Sequence, residues 1–280
     1  MVRAEMPKTI EEALEILSRE RHTIFAGGTD LMVQRRTWAG LPRRFDLPVL
    51  FVKQIEELGE ITTDDRYLKI GAAATLEAIL EHRATPGLIK QIILEMASPA
   101  IRHQGTLAGN IANASPAGDS LVGLYLYDAE VVLSSLTKQR IIKVCDFIEG
   151  VRKIDLKDDE MITEIRIPNL SFDYEKYVKV GPRKSDAISK VAFGGAITFD
   201  KDRVSDIRIA FGAVFKTVLR SPAIEAGIKG MTKKDLKRDV SRLAESYVSL
   251  LAPIDDQRST KHYRLQVALN LLKSFIEDIR

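Results

Sequence analysis

Apolar residues recur at helical spacing over residues 9–17 (TIEEALEIL): Ile10, Ala13, Leu14 and Leu17 share one face, and Thr9 stands where an N-cap belongs. The next run, 22–26 (HTIFA), has β character and ends on Gly27-Gly28, after which Thr29-Asp30 can cap a helix from Leu31. Residues 47–52 and 67–73 read as further strands, and Thr75 caps a helix reaching about Leu80. Residues 87–97 repeat the helical pattern through Leu88, Ile92, Ile93 and Met96. Strands resume at 130–134 and 140–144, and the alternation of MITEIRIP over 161–168 marks another. Beyond Pro168-Asn169, three β runs (177–180, 190–199, 204–214) precede two helical stretches, 233–251 and 259–279, the latter capped by Ser259 or Thr260. Strands followed by helices predict an α+β C-terminal domain over 169–280, after an N-terminal domain over 1–168.

Two segments stand outside this pattern. Residues 24–31 (IFAGGTDL) join a strand, a glycine pair and a helix start. Backbone N–H groups freed at such a turn can point at a phosphate, and a side chain at position 27 or 28 would obstruct that approach. Taken alone, such a Gly-Gly turn is more often only a turn; it is neither G-x-G-x-x-G nor a Walker loop. Residues 106–119 (TLAGNIANASPAGD) are small, rich in Asn and Gly, and suit neither a helix nor a solvated linker. Loops of small residues let a ligand come close to the backbone. Asp119 is equally an acceptor for a sugar hydroxyl and a cap for a helix starting near Ser120.

Composition narrows the chemistry. With 45% hydrophobic and 29% charged residues in 280, the chain has the makeup of a soluble globular protein. A single cysteine, Cys145, excludes internal disulfides and any four-cysteine iron–sulfur cluster held by this chain alone. The four histidines (His22, His82, His103, His262) lack ligand spacing, so no metal site is expected. A net charge of +3 does not suggest nucleic-acid binding, and no run reaches the roughly 18 apolar residues of a membrane helix. Glu5, Glu11 and Glu12 are out of place in a signal peptide, so a reduced, cytoplasmic protein is expected.

Together, AGGTDL at 26–31 and TLAGN at 106–110, followed by Ser115-Pro116-Ala117-Gly118-Asp119, resemble the two diphosphate-binding loops of the FAD-binding medium subunits of molybdenum hydroxylases, the xanthine dehydrogenase and carbon monoxide dehydrogenase family. Residues 161–168 resemble that family's strand beside the flavin ring, and 179–190 (KVGPRKSDAISK) its flexible loop near the flavin. Residues 209–214 and 255–264 resemble its C-terminal signature. The resemblance implies an α+β fold: a two-part FAD-binding domain of the vanillyl-alcohol-oxidase type (about 1–56 and 57–168), then an α+β domain with a sheet and helices. It implies noncovalent FAD held by Ile24-Phe25-Ala26-Gly27-Gly28-Thr29-Asp30-Leu31 and Thr106-Leu107-Ala108-Gly109-Asn110, with Asp119 on the adenosine or ribityl part. Ile162 would pack on the flavin and Lys179 would be its polar or cationic neighbour.

The implied activity is electron transfer as the FAD subunit of a xanthine dehydrogenase-like enzyme, nearest the xanthine and nicotinate types. Electrons would come from [2Fe–2S] clusters on a small partner and go to NAD+ or another acceptor, with molybdopterin on a large partner. The charged, Gly-Pro-containing loop, including Lys184 and Lys190, would gate acceptor access. Two other readings stand beside this one: a stand-alone flavin reductase or oxidase on the same fold, and a non-catalytic assembly subunit that has lost FAD. The last is raised by Ala108, which occupies a position where the family usually has glycine; a positive φ there would cost about 1 kcal/mol. Met96 reads as core, His103 as a surface or interface histidine, and Tyr125 and Tyr127 as structural. Cys145 reads as a buried small hydrophobe, and Trp38, amid Arg35, Arg36, Arg43 and Arg44, as either a partner anchor or ordinary packing.

Overall fold

Threonine caps set several helix starts. In this computed structural model, which describes residues 3–38, 41, 44–183 and 186–280, Thr9 Oγ1 accepts from Glu12 N (3.1 Å) and opens the helix Ile10–Arg19. Thr75 does the same for Leu76–Glu81 through Ala78 N (3.1 Å), and Thr260 for Lys261–Glu277 through Tyr263 N (3.3 Å). Each satisfies an N–H that the helix itself leaves unpaired.

The chain forms two compact units. The first takes in Met1–Thr85, Ala97–Ala114 and Asp128–Asn169. It holds a three-stranded parallel sheet with Val49–Phe51 between Ala4–Glu5 and Thr23–Phe25. A five-stranded antiparallel sheet follows, in the order Ile61–Thr63, Tyr67–Gly71, Met161–Pro168, Glu130–Ser134, Gln139–Lys143. Its alternation is that of a half-buried sheet: Leu68, Ile70, Ile165 and Ile167 are buried while Lys69, Glu164 and Arg166 are not. The helix Ile10–Arg19 buries Ala13, Leu14 and Leu17, the stripe expected from its spacing.

The second unit comprises Pro86–Met96, Ser115–Tyr127 and Leu170–Arg280, so two helical segments from before residue 168 belong to it. Its antiparallel sheet runs Tyr174–Val180, Val191–Asp200, Arg203–Gly212, Leu219–Arg220. On one face Phe193 and Phe211 pack with Tyr247 and Phe275 of the helices Val240–Val248 and Lys261–Glu277. On the other lies the helix Asp119–Leu126: a Cβ on Gly194 would meet Leu126 and Val122, both at 2.7 Å.

The sequence pattern missed some pieces. The stretch expected to be irregular contains a helix, Leu107–Asn113, that ends with Ala114 at φ 46°. Residues 233–251 form not one helix but two, Lys233–Arg238 and Val240–Val248, with Asp239 at the join. The helix Pro222–Ile228 and the strand Ile61–Thr63 were not anticipated. Cys145 is exposed rather than buried, because the short helix Val144–Phe147 turns Val144 and Phe147 inward. Trp38 is 87% exposed, while Tyr125 and Tyr127 are buried. Among the described residues, no helix is long and apolar enough to cross a membrane.

Candidate functional site

In the first unit the Gly27-Gly28 turn meets Gln104-Gly105, directly before the second small-residue segment. A Cβ built on Gly27 would fall 2.0 Å from the Gln104 carbonyl oxygen and 2.9 Å from the Gly105 Cα. Glycine at 27 is therefore required by the backbone of Gln104 and Gly105, whatever a ligand demands there. Gly28 is glycine for a different reason: its φ is +69°, and a Cβ would strike the Phe25 ring at 2.2 Å. That ring is held against Phe51, centroids 4.7 Å apart. On the other segment, a Cβ at Gly105 would touch Thr29 Oγ1 at 3.3 Å. Leu76 N donates to Gly105 O (2.9 Å), and Thr75 bridges Thr106, tying the second segment to the helix Leu76–Glu81.

This packing leaves main-chain donors unspent. Among the described residues, the N–H groups of Gly27, Gly28, Thr29 and Asp30 donate no hydrogen bond within the protein, although Gly28 O accepts from Met32 N (2.9 Å). In the second segment Thr106 Oγ1 caps Gly109 N (3.0 Å) and Thr106 O accepts from Asn110 N (3.1 Å). The N–H groups of Leu107 and Ala108 belong to the first turn of their helix and have no partner within it. Two neighbouring turns with free N–H groups suit a diphosphate, whose oxygens accept from several amides at once.

Ala108 lies inside the helix Leu107–Asn113 and is absent from the residues with positive φ. The strain that alanine would suffer there does not arise. Around the cradle, Ile24, Phe25, Ala26 and Leu31 are half-buried, Gly109 is exposed, and Leu107 is buried beneath. Gln104, Gly105 and Gln34, which the motif comparison passed over, are the residues that join the segments; Gly105 was the available signal, a glycine directly before Thr106. Lys53 adds a cation, donating to Gln104 Oε1.

The other candidates lie elsewhere. Ile162 is buried on Met161–Pro168, the strand against which Leu107–Asn113 packs, and the ladder bulges just after it. In the second unit, Asp119 opens the helix Asp119–Leu126 and takes the Lys179 ammonium on Oδ2 (2.8 Å) and the Ser189 hydroxyl on Oδ1 (2.5 Å). Lys179 also donates to Glu95 O (2.7 Å), and its side chain is 3% exposed. Burial raises the Tyr177 phenol well above its ordinary pKa, and the neighbouring Asp119 carboxylate adds to the effect. Met96 ends its helix half-buried and His103 is exposed. Lys190 closes the base of its loop, Lys190 N donating to Val180 O (2.8 Å), and its ammonium lies over Tyr263. Arg43, Lys184 and Ser185 fall outside the described residues. No group of three or more His, Cys, Asp or Glu side chains among the described residues could hold a metal.

Residues 1–170 match the family described as the FAD binding domain in molybdopterin dehydrogenase, and 176–279 the CO dehydrogenase flavoprotein C-terminal domain. The chain belongs to this flavoprotein family. The family's cofactor is FAD, and the paired turns with their free N–H groups fit its diphosphate. The nicotinate dehydrogenase FAD-subunit of Eubacterium barkeri is 33% identical over 69% of this chain and 68% of the relative. The glyceraldehyde dehydrogenase medium chain of Sulfolobus acidocaldarius is 29% identical over 99% of this chain and 96% of the relative. The carbon monoxide dehydrogenase structure from Hydrogenophaga pseudoflava shares the fold, with a TM-score of 0.86 at 23% identity, covering 99% and 96% of the two chains. The flavoprotein family is thus one of dehydrogenase subunits, and the α+β, two-domain fold expected from sequence is the observed one.

Proposed function

We propose that this chain is the electron-transfer subunit of a xanthine dehydrogenase-like molybdenum hydroxylase. It would take electrons from [2Fe–2S] clusters on a small partner and pass them to NAD+ or another acceptor, while a large partner oxidises the substrate at molybdopterin. The observation that carries this reading is the pair of interlocked turns, Gly27–Gly28 against Gln104–Gly105, with unspent N–H groups at 27–30 and, just after the second turn, at Leu107 and Ala108. The single cysteine supports the division of labour, since four are needed for one cluster.

When bound, FAD supplies the exchange between one-electron and two-electron carriers. The protein's part is to bind and orient. The N–H groups at 27–30 and at Leu107 and Ala108 would hold the diphosphate noncovalently, flanked by Ile24, Phe25, Ala26, Leu31, Gly109 and Asn110. Thr106 fixes the second turn by spending its hydroxyl on Gly109 N. The resemblance also assigns Asp119 to the adenosine or ribityl part; in the second unit its carboxylate takes the Lys179 ammonium and the Ser189 hydroxyl. The resemblance makes Lys179 the flavin's polar or cationic neighbour; in the second unit its ammonium donates to Asp119 and to Glu95 O. Ile162 would supply an apolar contact. The assembly-subunit reading loses its motive, because Ala108 sits in ordinary helical backbone.

The test is anaerobic addition of NADH to the FAD-loaded chain, followed by the visible flavin absorbance. Bleaching supports NAD+ as acceptor. If neither NADH nor NADPH bleaches it while the assembled enzyme still reduces a dye, the acceptor is of another class.

A further inference from the structure

The glycine contact joins the two turns where they begin; a second contact joins the helices that follow them. Gln34 ends the helix Leu31–Gln34, and Asn113 ends the helix Leu107–Asn113. Gln34 Nε2 donates to Asn113 Oδ1 at 2.7 Å, across 79 residues of sequence, and also to Asp30 Oδ2. Asp30 belongs to the first turn, so one amide group touches the first turn, its helix and the helix of the second turn. Asn113 precedes Ala114, whose left-handed φ of 46° ends the helix.

We infer that Gln34 and Asn113 are positioning residues that hold the two FAD turns in register before the cofactor arrives. This rests on the reading of those turns as the diphosphate cradle. The physical argument is preorganisation. Each turn alone offers a few N–H groups to an anion; both together bind it well only when their spacing is already set, since otherwise binding must order them. The glycine contact fixes one end of each turn–helix piece and does not itself resist splaying at the other. The Gln34–Asn113 bond lies at the far end of both helices, where it opposes that motion. Neither side chain needs to touch the cofactor.

The experiment titrates the full apo chain with FAD, read by quenching of flavin fluorescence, for wild type, Gln34→Ala, Asn113→Ala and the double variant. Losing an exposed neutral hydrogen bond predicts a weakening of FAD binding of about two- to tenfold in each single variant. The double variant should be no worse than Gln34→Ala, because that substitution alone already removes the bond to Asn113. The length-exchanged pair Gln34→Asn with Asn113→Gln should recover part of the affinity. Gln266→Ala, which removes a comparable exposed bond to Asn270 (3.0 Å), should change nothing. Additive losses, or unchanged affinity in both single variants, would overturn the inference. Amide hydrogen exchange on the apo chain provides a readout that does not need FAD. Gln34→Ala should speed exchange at Met32, Gly109 and Asn110, and unchanged rates would overturn the inference. A wild type that takes up no FAD would count against the functional reading, while the exchange result would still decide the clamp.

Discussion

Gly27 and Gln104 lie so close that the glycine's missing Cβ would sit 2.0 Å from the Gln104 carbonyl oxygen. The contact is backbone on backbone, so no rotamer change can relieve a side chain placed there. Gly27→Ala should force the two turns apart, with an overpacking cost of about 1–3 kcal/mol. The expected outcome is a folded chain, by circular dichroism, with a lower Tm and no retained FAD. A variant that keeps both Tm and FAD would show that the turns are not interlocked.

Ala108 makes the opposite prediction. Its position is helical, so restoring the family's usual glycine removes no strain and adds backbone entropy in the unfolded chain. Ala108→Gly should cost about 1 kcal/mol, a fall in Tm of a few degrees, with FAD affinity unchanged. A gain in affinity would mean that the methyl group crowds the cofactor.

These two positions show what the sequence could and could not disclose. The motifs at 26–31 and 106–110 point to the cradle, and the caps at Thr9 and Thr75 are legible because each stands one residue before an apolar helical stripe, whereas Lys261-His262 after Thr260 left that cap open between Ser259 and Thr260. The purpose of Gly27 was not legible: glycine for a ligand and glycine for a neighbouring backbone look the same in one dimension. The helix Leu107–Asn113 was hidden because Asn and Gly disfavour helix, and only its packing on Met161–Pro168 overrides that preference. Cys145 misled through its residue type, since a four-residue helix buries only two of its positions. Gln34 carries no sequence signal at all, because its partner lies 79 residues away.

Asp119 and Lys179 form a buried pair, their side chains 7% and 3% exposed. Removing one partner strands a charge, so Lys179→Met should destabilise by about 3–5 kcal/mol. Adding Asp119→Asn should return part of this, because the stranded carboxylate is gone. Chemical denaturation of the single and double variants measures the difference; a double variant less stable than Lys179→Met by the full cost of Asp119→Asn alone would mean that the pair is not coupled.

Asp256 makes the second unit acid-sensitive. Burial pushes its carboxyl up, but the N–H groups of Arg258 and Ser259 and the Arg264 guanidinium (2.7 Å) outweigh that and hold it at about 2. An unfolded aspartate titrates near about 3.9, so the pair's stabilisation is present above that pH and lost as pH falls from about 4 towards 2. Asp256→Asn should be less stable than wild type at neutral pH, with the gap closing across that window. A gap that stays constant with pH would contradict the assignment.

The central claim is that the Gly27–Gly28 and Gly105–Ala108 turns together hold FAD. Its most direct test is the visible absorption spectrum of the purified chain after incubation with FAD and desalting, with wild type and Gly27→Ala run side by side. The account predicts flavin retained by wild type, released intact by acid, and none retained by the folded variant. A folded wild type that carries no flavin, alone or coexpressed with its partner subunits, would contradict it.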